Sequence, residues 1–249
     1  MASKAIIGLD GLDPRDIEPF GFPGEWDELA IETTVHTAPS WNTIFSGNNV
    51  NDKFQMYDFW KMPDFVPDEP SMLARNSDEQ FTYDEIEQDS FVWNLFDVEV
   101  VSAPIVLPTF STLDERPDPS LTWCSKPDEF DTCMDVLTEK TLEHDRVITV
   151  YPLPDKLNHI YENSSKEYDE AGRNEHMHRL SGVAERLMDE FDEWIILSDH
   201  GRPSADEFVS MSWKLPSHDP VGVIQSNVYD TDGYTNVTVH DLLVKFYER

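Results

Sequence analysis

Four short apolar runs constrain the fold of this chain most strongly. They cover residues 5–9, 99–102, 146–153 and 194–197, and an aspartate follows three of them within two residues. Mainly apolar runs of this length, without regular alternation, are typical of strands buried on both faces of a parallel sheet. Between the last two runs, apolar residues recur at spacings of three and four, which predicts a crossover helix over residues 177–191. The expected fold is therefore α/β, with a mostly parallel central sheet and helices on both faces.

The net charge excludes two classes of function. The 249 residues include 18 Lys and Arg against 50 Asp and Glu, a formal charge of −32. Such a surface repels phosphate backbones and anionic lipid headgroups, so neither nucleic-acid coating nor membrane-surface binding is expected. Dispersed acidity with few lysines is typical of proteins adapted to molar salt, where the Debye length falls to roughly 3 Å. An ordinary acidic protein is the alternative; adaptation to salt predicts unfolding at low ionic strength.

The length and the distribution of prolines suggest one domain with two irregular segments. An apolar content of 39% supplies material for a core, and 249 residues fit a single α/β domain over residues 1–249. Prolines and acids at about residues 50–87 predict an irregular excursion or cap, and a second Pro-rich segment covers about residues 107–127. No apolar run approaches the roughly 18 residues of a membrane span, and no signal-peptide pattern is present. We expect a cytoplasmic protein.

Aspartates at the strand ends indicate a metal site. Asp10, Asp155 and Asp199 lie at or just past the last apolar residue of three predicted strands. The carboxyl ends of parallel strands meet at one edge of a sheet, where ligands bind. Three carboxylates there repel one another unless a cation neutralises them. His159 and His200 accompany two of them, and mixed Asp and His ligands suit zinc, with manganese or iron as alternatives.

Each of these residues also has a structural interpretation. An aspartate after a strand is often a helix N-cap, which explains Asp10 as well as a metal does. The spacing of Asp155 and His159 also fits adjacent positions on one helical turn. Asp199, followed by His200 and a glycine, is harder to explain by packing, because a carboxylate and an imidazole are poorly suited to a strand end without a ligand.

Five short segments, spread in order over most of the chain, form a recognisable pattern. They are IGLDG at 7–11, TAPSW at 37–41 running to Ser46 and Gly47, PDKLNH at 154–159, SDHG at 198–201, and His218 with Pro220 and Gly222. Each segment alone is a weak match, but the five together resemble, specifically, the alkaline-phosphatase superfamily and in particular its type I phosphodiesterase/nucleotide pyrophosphatase branch. The resemblance implies an alkaline-phosphatase-like sandwich with two divalent metal ions, usually zinc.

The resemblance assigns a role to seven residues. One metal would be bound by Asp10, Thr37, Asp199 and His200, and the other by Asp155, His159 and His218. Thr37 would also be the nucleophile, activated by the metal. Pro39 and Gly47 suggest a short helix that starts just past Thr37 and directs its amides at a phosphate. From this segment alone, a plain N-cap role is the better interpretation of Thr37, and only the full set of segments favours the nucleophile.

The implied function is a metal-dependent phosphoester hydrolase that acts on a small phosphoester through a covalent phospho-threonine. Two alternatives remain: a phosphomutase or phosphotransferase with the same intermediate, and a metal-stabilised binding protein without catalysis. A sulfatase is disfavoured because Thr37 cannot be oxidised to the formylglycine that sulfatases use.

Two positions depart from the pattern of this branch. Asn158 replaces a glycine of the branch, and Asp58 lies near the position where nucleotide-specific members have a phosphate-binding Asn. The side chains that could replace that Asn are Asn42, Asn48, Lys156 and Arg202.

Overall fold

The computed structural model describes residues 2–33, 37–48, 90–103, 127–155, 157–158, 170–202 and 218–249. The predicted excursion at about residues 50–87 lies outside the described residues. The same holds for the Pro-rich segment at about 107–127, apart from Pro127, which begins a helix. The prediction of one domain over the whole chain therefore stays a prediction.

Six strands form the central sheet of the described residues. They are β1 (Lys4–Leu9), β2 (Asp27–Ala30), β3 (Glu99–Ser102), β4 (Arg146–Tyr151), β5 (Glu193–Leu197) and β6 (Val221–Ser226). Their spatial order is β2-β6-β5-β1-β4-β3. Strands β3, β4, β1 and β5 pair in parallel, whereas β6 is antiparallel to both of its neighbours. The prediction of a mostly parallel sheet is confirmed.

Helices cover both faces of this sheet, as the unbroken apolar runs predicted. They are α1 (Pro14–Phe20), α2 (Thr37–Ser46), α3 (Val92–Leu95), α4 (Pro127–Leu142), α5 (Glu170–Glu190) and α6 (Val239–Glu248). On β1, Ala5 and Ile7 face a core formed with α1, α4 and α5, while Ile6 faces a second core formed with α2, α3 and α6. Alternate side chains of one strand thus enter different cores, as strand geometry requires.

The apolar runs did not indicate two of the strands. In β2 only Leu29 is buried, and the acidic residues beside it suit an exposed edge strand. In β6, Gly222 interrupts the apolar run. A Cβ at that position would lie 2.6 Å from the backbone oxygen of Ser198, so glycine allows the close approach of β6 to the end of β5. The predicted crossover helix is confirmed as α5, which begins earlier, at Glu170.

The reversed direction of β6 brings a fourth chain segment to the carboxyl edge of the sheet. Because β6 is antiparallel to β5, the residues just before β6 lie beside those just after β5. Gly201 and Asp219 exchange two backbone hydrogen bonds there, with N···O distances of 3.0 and 3.3 Å. His218 is thereby placed next to Asp199 and His200. None of the helices in the described part of the chain is long and apolar enough to cross a membrane.

Candidate metal centre

Asp10 connects the ends of β1 and β4. Its backbone N–H donates to the carbonyl of Tyr151 at 2.9 Å, and its carbonyl accepts from the N–H of Asp155 at 2.8 Å. Gly11 follows with φ of 74°, and a Cβ there would lie 2.9 Å from that of Asp155, so glycine is required by both conformation and space. The N-cap of α1 is Asp13. The N-cap interpretation of Asp10 is therefore wrong.

Two buried groups of potential ligands lie side by side at this edge. In one, single ligand atoms of Asp10, Asp199 and His200 lie within 4.8 Å of one another; the same holds for Asp155, His200 and His218 in the other. All five side chains are buried. The two imidazole rings stack with their centroids 3.9 Å apart. Five of the seven predicted residues are therefore brought together; that they bind metal stays a prediction.

His200 is oriented by its own backbone environment. Its Nδ1 lies 3.0 Å from the carbonyl oxygen of Gly201, which places Nε2 on the side of the carboxylates. Nε2 is 3.3 Å from Oδ1 of Asp10 and 3.5 Å from Oδ2 of Asp199. His218 makes the equivalent approach to Asp155, with Nε2 3.2 Å from Oδ1. An imidazole whose other nitrogen donates to a carbonyl is the usual arrangement of a metal-binding histidine.

The electrostatics of this cluster favour a bound cation. Burial and the neighbouring carboxylate of Asp10 raise the pKa of Asp199 well above its usual range. Burial opposes protonation of His200, but Asp199 and Asp10 outweigh that effect and raise its pKa to about 10. Oδ2 of Asp199 is buried and accepts no hydrogen bond from any described residue. Buried carboxylates with an unsatisfied oxygen fit a divalent cation, and the mixed Asp and His donors suit zinc or manganese.

Thr37 and His159 complete the predicted set, but their side chains lie outside the description. Helix α2 begins at Thr37 itself, whereas the sequence predicted a start just past it. Trp41, one turn further along, is fully buried, and a Cβ on Gly8 would lie 2.5 Å from its ring. Gly8 precedes Asp10 by two residues, so α2 packs on the sheet close to the end of β1. The roles of Thr37 and His159 stay predictions.

The described substitutes for a phosphate-binding Asn take part in local structure. Nδ2 of Asn48 donates to Oγ of Ser90 at 2.8 Å, and Asn42 is buried on α2. The backbone N–H of Arg202 donates to Asp13 at 2.9 Å, and its guanidinium lies 3.7 Å from a carboxylate oxygen of Asp16. Lys156 and Asp58 are not among the described residues.

Two further residues next to the centre, Asp13 and Arg173, were not predicted from the sequence. Asp13, which precedes Pro14 at the start of α1, had a detectable signal, because an aspartate before proline is a typical helix start. Arg173 had none, since an arginine on an amphipathic helix is usually solvent-exposed.

Comparisons with known proteins give structural neighbours only. No protein-family profile matches this chain. No curated protein sequence matches it either. The C-terminal periplasmic domain of phosphoethanolamine transferase EptC from Campylobacter jejuni aligns with 100% of this chain and 90% of its own, at 11% identity and a TM-score of 0.47.

Murine ectonucleotide pyrophosphatase/phosphodiesterase 5 is a second neighbour. An inactive variant in complex with AMP aligns at 12% identity and a TM-score of 0.46, over 94% of this chain and 67% of that one. Another structure of the murine protein gives 13% identity, a TM-score of 0.44, and coverage of 98% and 69%.

Proposed function

We propose that this chain is a metal-dependent phosphoester hydrolase that acts on a small phosphodiester or pyrophosphate through a covalent intermediate on Thr37. The observation that carries this proposal is the convergence of five buried residues from four chain segments at one edge of the sheet. Two overlapping groups of donors within 4.8 Å suit a pair of neighbouring cations. The five residues are Asp10, Asp155, Asp199, His200 and His218.

Two divalent ions, zinc or alternatively manganese, are proposed as cofactors. One would be held by Asp10, Thr37, Asp199 and His200, and the other by Asp155, His159 and His218. When bound, such ions neutralise charge on phosphoryl oxygens and lower the pKa of a coordinated hydroxyl.

The chain itself supplies the nucleophile and the anion site. Thr37 begins a ten-residue helix, and the first backbone N–H groups of a helix have no partner within it, so they favour a bound phosphate. In the proposed reaction the Thr37 hydroxyl oxygen forms a bond to phosphorus, its proton is released, and the ester oxygen of the leaving group departs. Water then cleaves the phospho-threonine, which releases phosphate or a phosphomonoester and restores the hydroxyl.

The charge of the centre supports diesters over monoesters. Three carboxylates lie together there, and Arg202, the described cation next to a predicted ligand segment, already contacts Asp13 and Asp16. A dianionic monoester brings one more negative charge than a diester, without a described arginine available to it. We expect diesters to be cleaved at least as fast as matching monoesters.

The test is a panel of aryl mono- and diesters and nucleotide pyrophosphates, assayed in molar KCl with zinc or manganese. Hydrolysis that is lost in Thr37→Ala supports the proposal. A metal-loaded protein with no turnover on any of them would favour the non-catalytic binding protein. Transfer to an added alcohol with no release to water would favour the phosphotransferase, and turnover of a monoester far above its diester would reverse the substrate ranking.

The proposed location is the cytoplasm of a cell that accumulates salt. Its support is the formal charge of −32, which is tolerated best where salt screens it. Fractionation of the source cells, with an antibody against this chain, tests the location; recovery outside the cytoplasm would contradict it.

A further inference from the structure

Arg173 is a buried arginine on α5 that the proposed chemistry does not use. Its side chain is 2% exposed. Nε and Nη2 donate to Oδ1 of Asn158 at 3.0 and 2.9 Å, and Nη2 also donates to Oδ2 of Asp16 at 3.1 Å. The guanidinium lies 5.3 Å from the ring centroid of Phe20. Burying a guanidinium is costly unless its N–H donors are hydrogen-bonded. The planar group with its several donors is therefore needed here to bind both partners at once.

Both polar partners of Arg173 are buried and lie next to ligand segments. Asn158 is 3% exposed and follows Asp155 by three residues. Asp16, 1% exposed, lies on α1, and its second oxygen is 3.7 Å from Nη1 of Arg202. Arg202 follows His200 by two residues. One guanidinium on α5 is therefore linked, through one side chain each, to the segments that carry Asp155 and His200.

A second set of contacts closes the same network. Asp13 accepts from the backbone N–H of Arg202 at 2.9 Å and from Nη2 of Arg15 at 2.6 Å. Nη2 of Arg15 also donates to the carbonyl of Arg202 at 2.7 Å and to Oδ2 of Asp219 at 3.3 Å. Asp219 directly follows His218. The segments after β1, after β5 and before β6 are thus fixed to each other by side chains that are not among the predicted ligands.

We infer that Arg173 is a positioning residue for the metal centre. Its two hydrogen bonds to Asn158 fix the position of the segment that carries Asp155. They thereby set the affinity with which Asp155, His200 and His218 bind their cation. This inference rests on the proposed function, because it assumes that the group binds metal. Hydrogen-bond partners that orient a metal ligand directly change metal affinity by about 10- to 100-fold when removed, and this is the scale expected for a link that holds the ligand's segment.

The alternative is that Arg173 only joins α5 to α1 and stabilises the fold. Ser181 offers the matched control, since it lies on the same helix and its hydroxyl donates to the carbonyl of Gly21, at the end of α1, at 2.9 Å. Ser181→Ala removes a contact between the same two helices without touching a ligand segment. A purely structural role predicts that both kinds of variant lower the melting temperature and leave metal affinity unchanged.

The experiment is a calorimetric titration with Zn²⁺ alone, in molar KCl, on the wild type, Asn158→Ala, Asn158→Asp and Ser181→Ala. Asn158→Ala removes the acceptor but keeps the charge pair of Arg173 with Asp16, so the chain should fold. We expect one of two binding events to weaken by about 10- to 100-fold in Asn158→Ala. Asn158→Asp retains an acceptor for Arg173 and should restore the wild-type affinity, and Ser181→Ala should bind as the wild type does.

Arg173→Lys is the second variant, which keeps a positive charge for Asp16 but loses the fork of nitrogens that serves both partners. It should weaken the same binding event. A wild type that binds two Zn²⁺ ions, together with an Asn158→Ala that binds both equally well, would overturn this inference alone. A folded wild type that binds no Zn²⁺ would overturn the proposed function and this inference with it.

Discussion

Replacing Asp199 with asparagine should change stability in opposite directions with and without metal. Asp199 is fully buried, and one of its carboxylate oxygens lies within 4.8 Å of ligand atoms of Asp10 and His200. At 4.8 Å and an effective dielectric constant of about 20, two like charges repel by about 3 kcal/mol. Protonated His200, 3.5 Å away, offsets this repulsion, but burial also disfavours the charged carboxylate, and together burial and Asp10 raise the pKa of Asp199 well above its usual range. Asp199→Asn should therefore stabilise the metal-free protein by about 1–2 kcal/mol. For a chain of this length that is a rise in Tm of roughly 2–8 °C.

Zinc should reverse the order of the two proteins. At a free ion concentration of about 100 times Kd, each site stabilises the wild type by about 2.7 kcal/mol. A neutral amide is a much weaker ligand than a carboxylate, so Asp199→Asn should lose most of that gain at one site. The assay is thermal unfolding followed by circular dichroism in molar KCl, first with a chelator and then with excess zinc.

Asp13→Asn is the matched control, because Asp13 is equally buried but accepts from Arg15 and Arg202. The same substitution there weakens a paired contact and should destabilise the protein by about 1–3 kcal/mol with or without zinc. If metal-free Asp199→Asn melted below the metal-free wild type, as Asp13→Asn should, the Asp199 carboxylate would be stabilising the fold, and the metal interpretation of the cluster would be refuted.

Three further predictions concern the nucleophile, the charge and a glycine. Thr37→Ala should lower the hydrolysis rate by at least about a thousandfold, which is about 4 kcal/mol of barrier, with little change in zinc binding or circular dichroism. Thr37→Ser should keep measurable activity, and a near-normal rate in metal-loaded Thr37→Ala would indicate direct attack by water. Transfer from molar KCl to about 0.1 M KCl, where the Debye length is about 10 Å, should lower the Tm because the charge of −32 is then less screened. An unchanged melting curve would count against adaptation to salt. Gly201→Ala should destabilise the protein and weaken zinc binding, because the new Cβ would lie 2.5 Å from both Asp13 Oδ2 and the carbonyl oxygen of Val221. Gly182→Ala on α5, with open space around it, should instead raise the Tm, and equal melting curves for the two variants would contradict this packing.

The centre of the fold could be predicted from sequence because its strands are buried on both faces. Strands β1, β4 and β5 consist almost entirely of buried residues, so each is a continuous apolar run. The edge strand β2 carries acids and buries one side chain, so nothing local distinguishes it from a loop. Strand β6 takes its place through pairing with β5, at a distance that depends on Gly222. Such long-range pairing leaves little local signal.

The same distinction applies to the candidate site. The sequence alone predicts that Asp10, Asp155 and Asp199 lie together, because the carboxyl ends of parallel strands meet at one edge of the sheet. His218 came only from the resemblance, since it precedes an antiparallel strand and no local pattern marks it. Arg173 was missed because its burial depends on partners from α1 and from the segment after β4, which the periodicity of α5 does not show.

The most direct test of the proposed mechanism is acid quenching of a single turnover, followed by peptide mapping. Zinc-loaded protein in molar KCl is mixed with an excess of an aryl phosphodiester and quenched at a series of times within the first turnover, after the aryl alcohol has left and before water cleaves the adduct. We predict up to one phosphoryl group per chain, on Thr37 in the wild type, and none in Thr37→Ala. Turnover by a wild type that never carries phosphate on Thr37, at any quench time, would contradict the covalent mechanism.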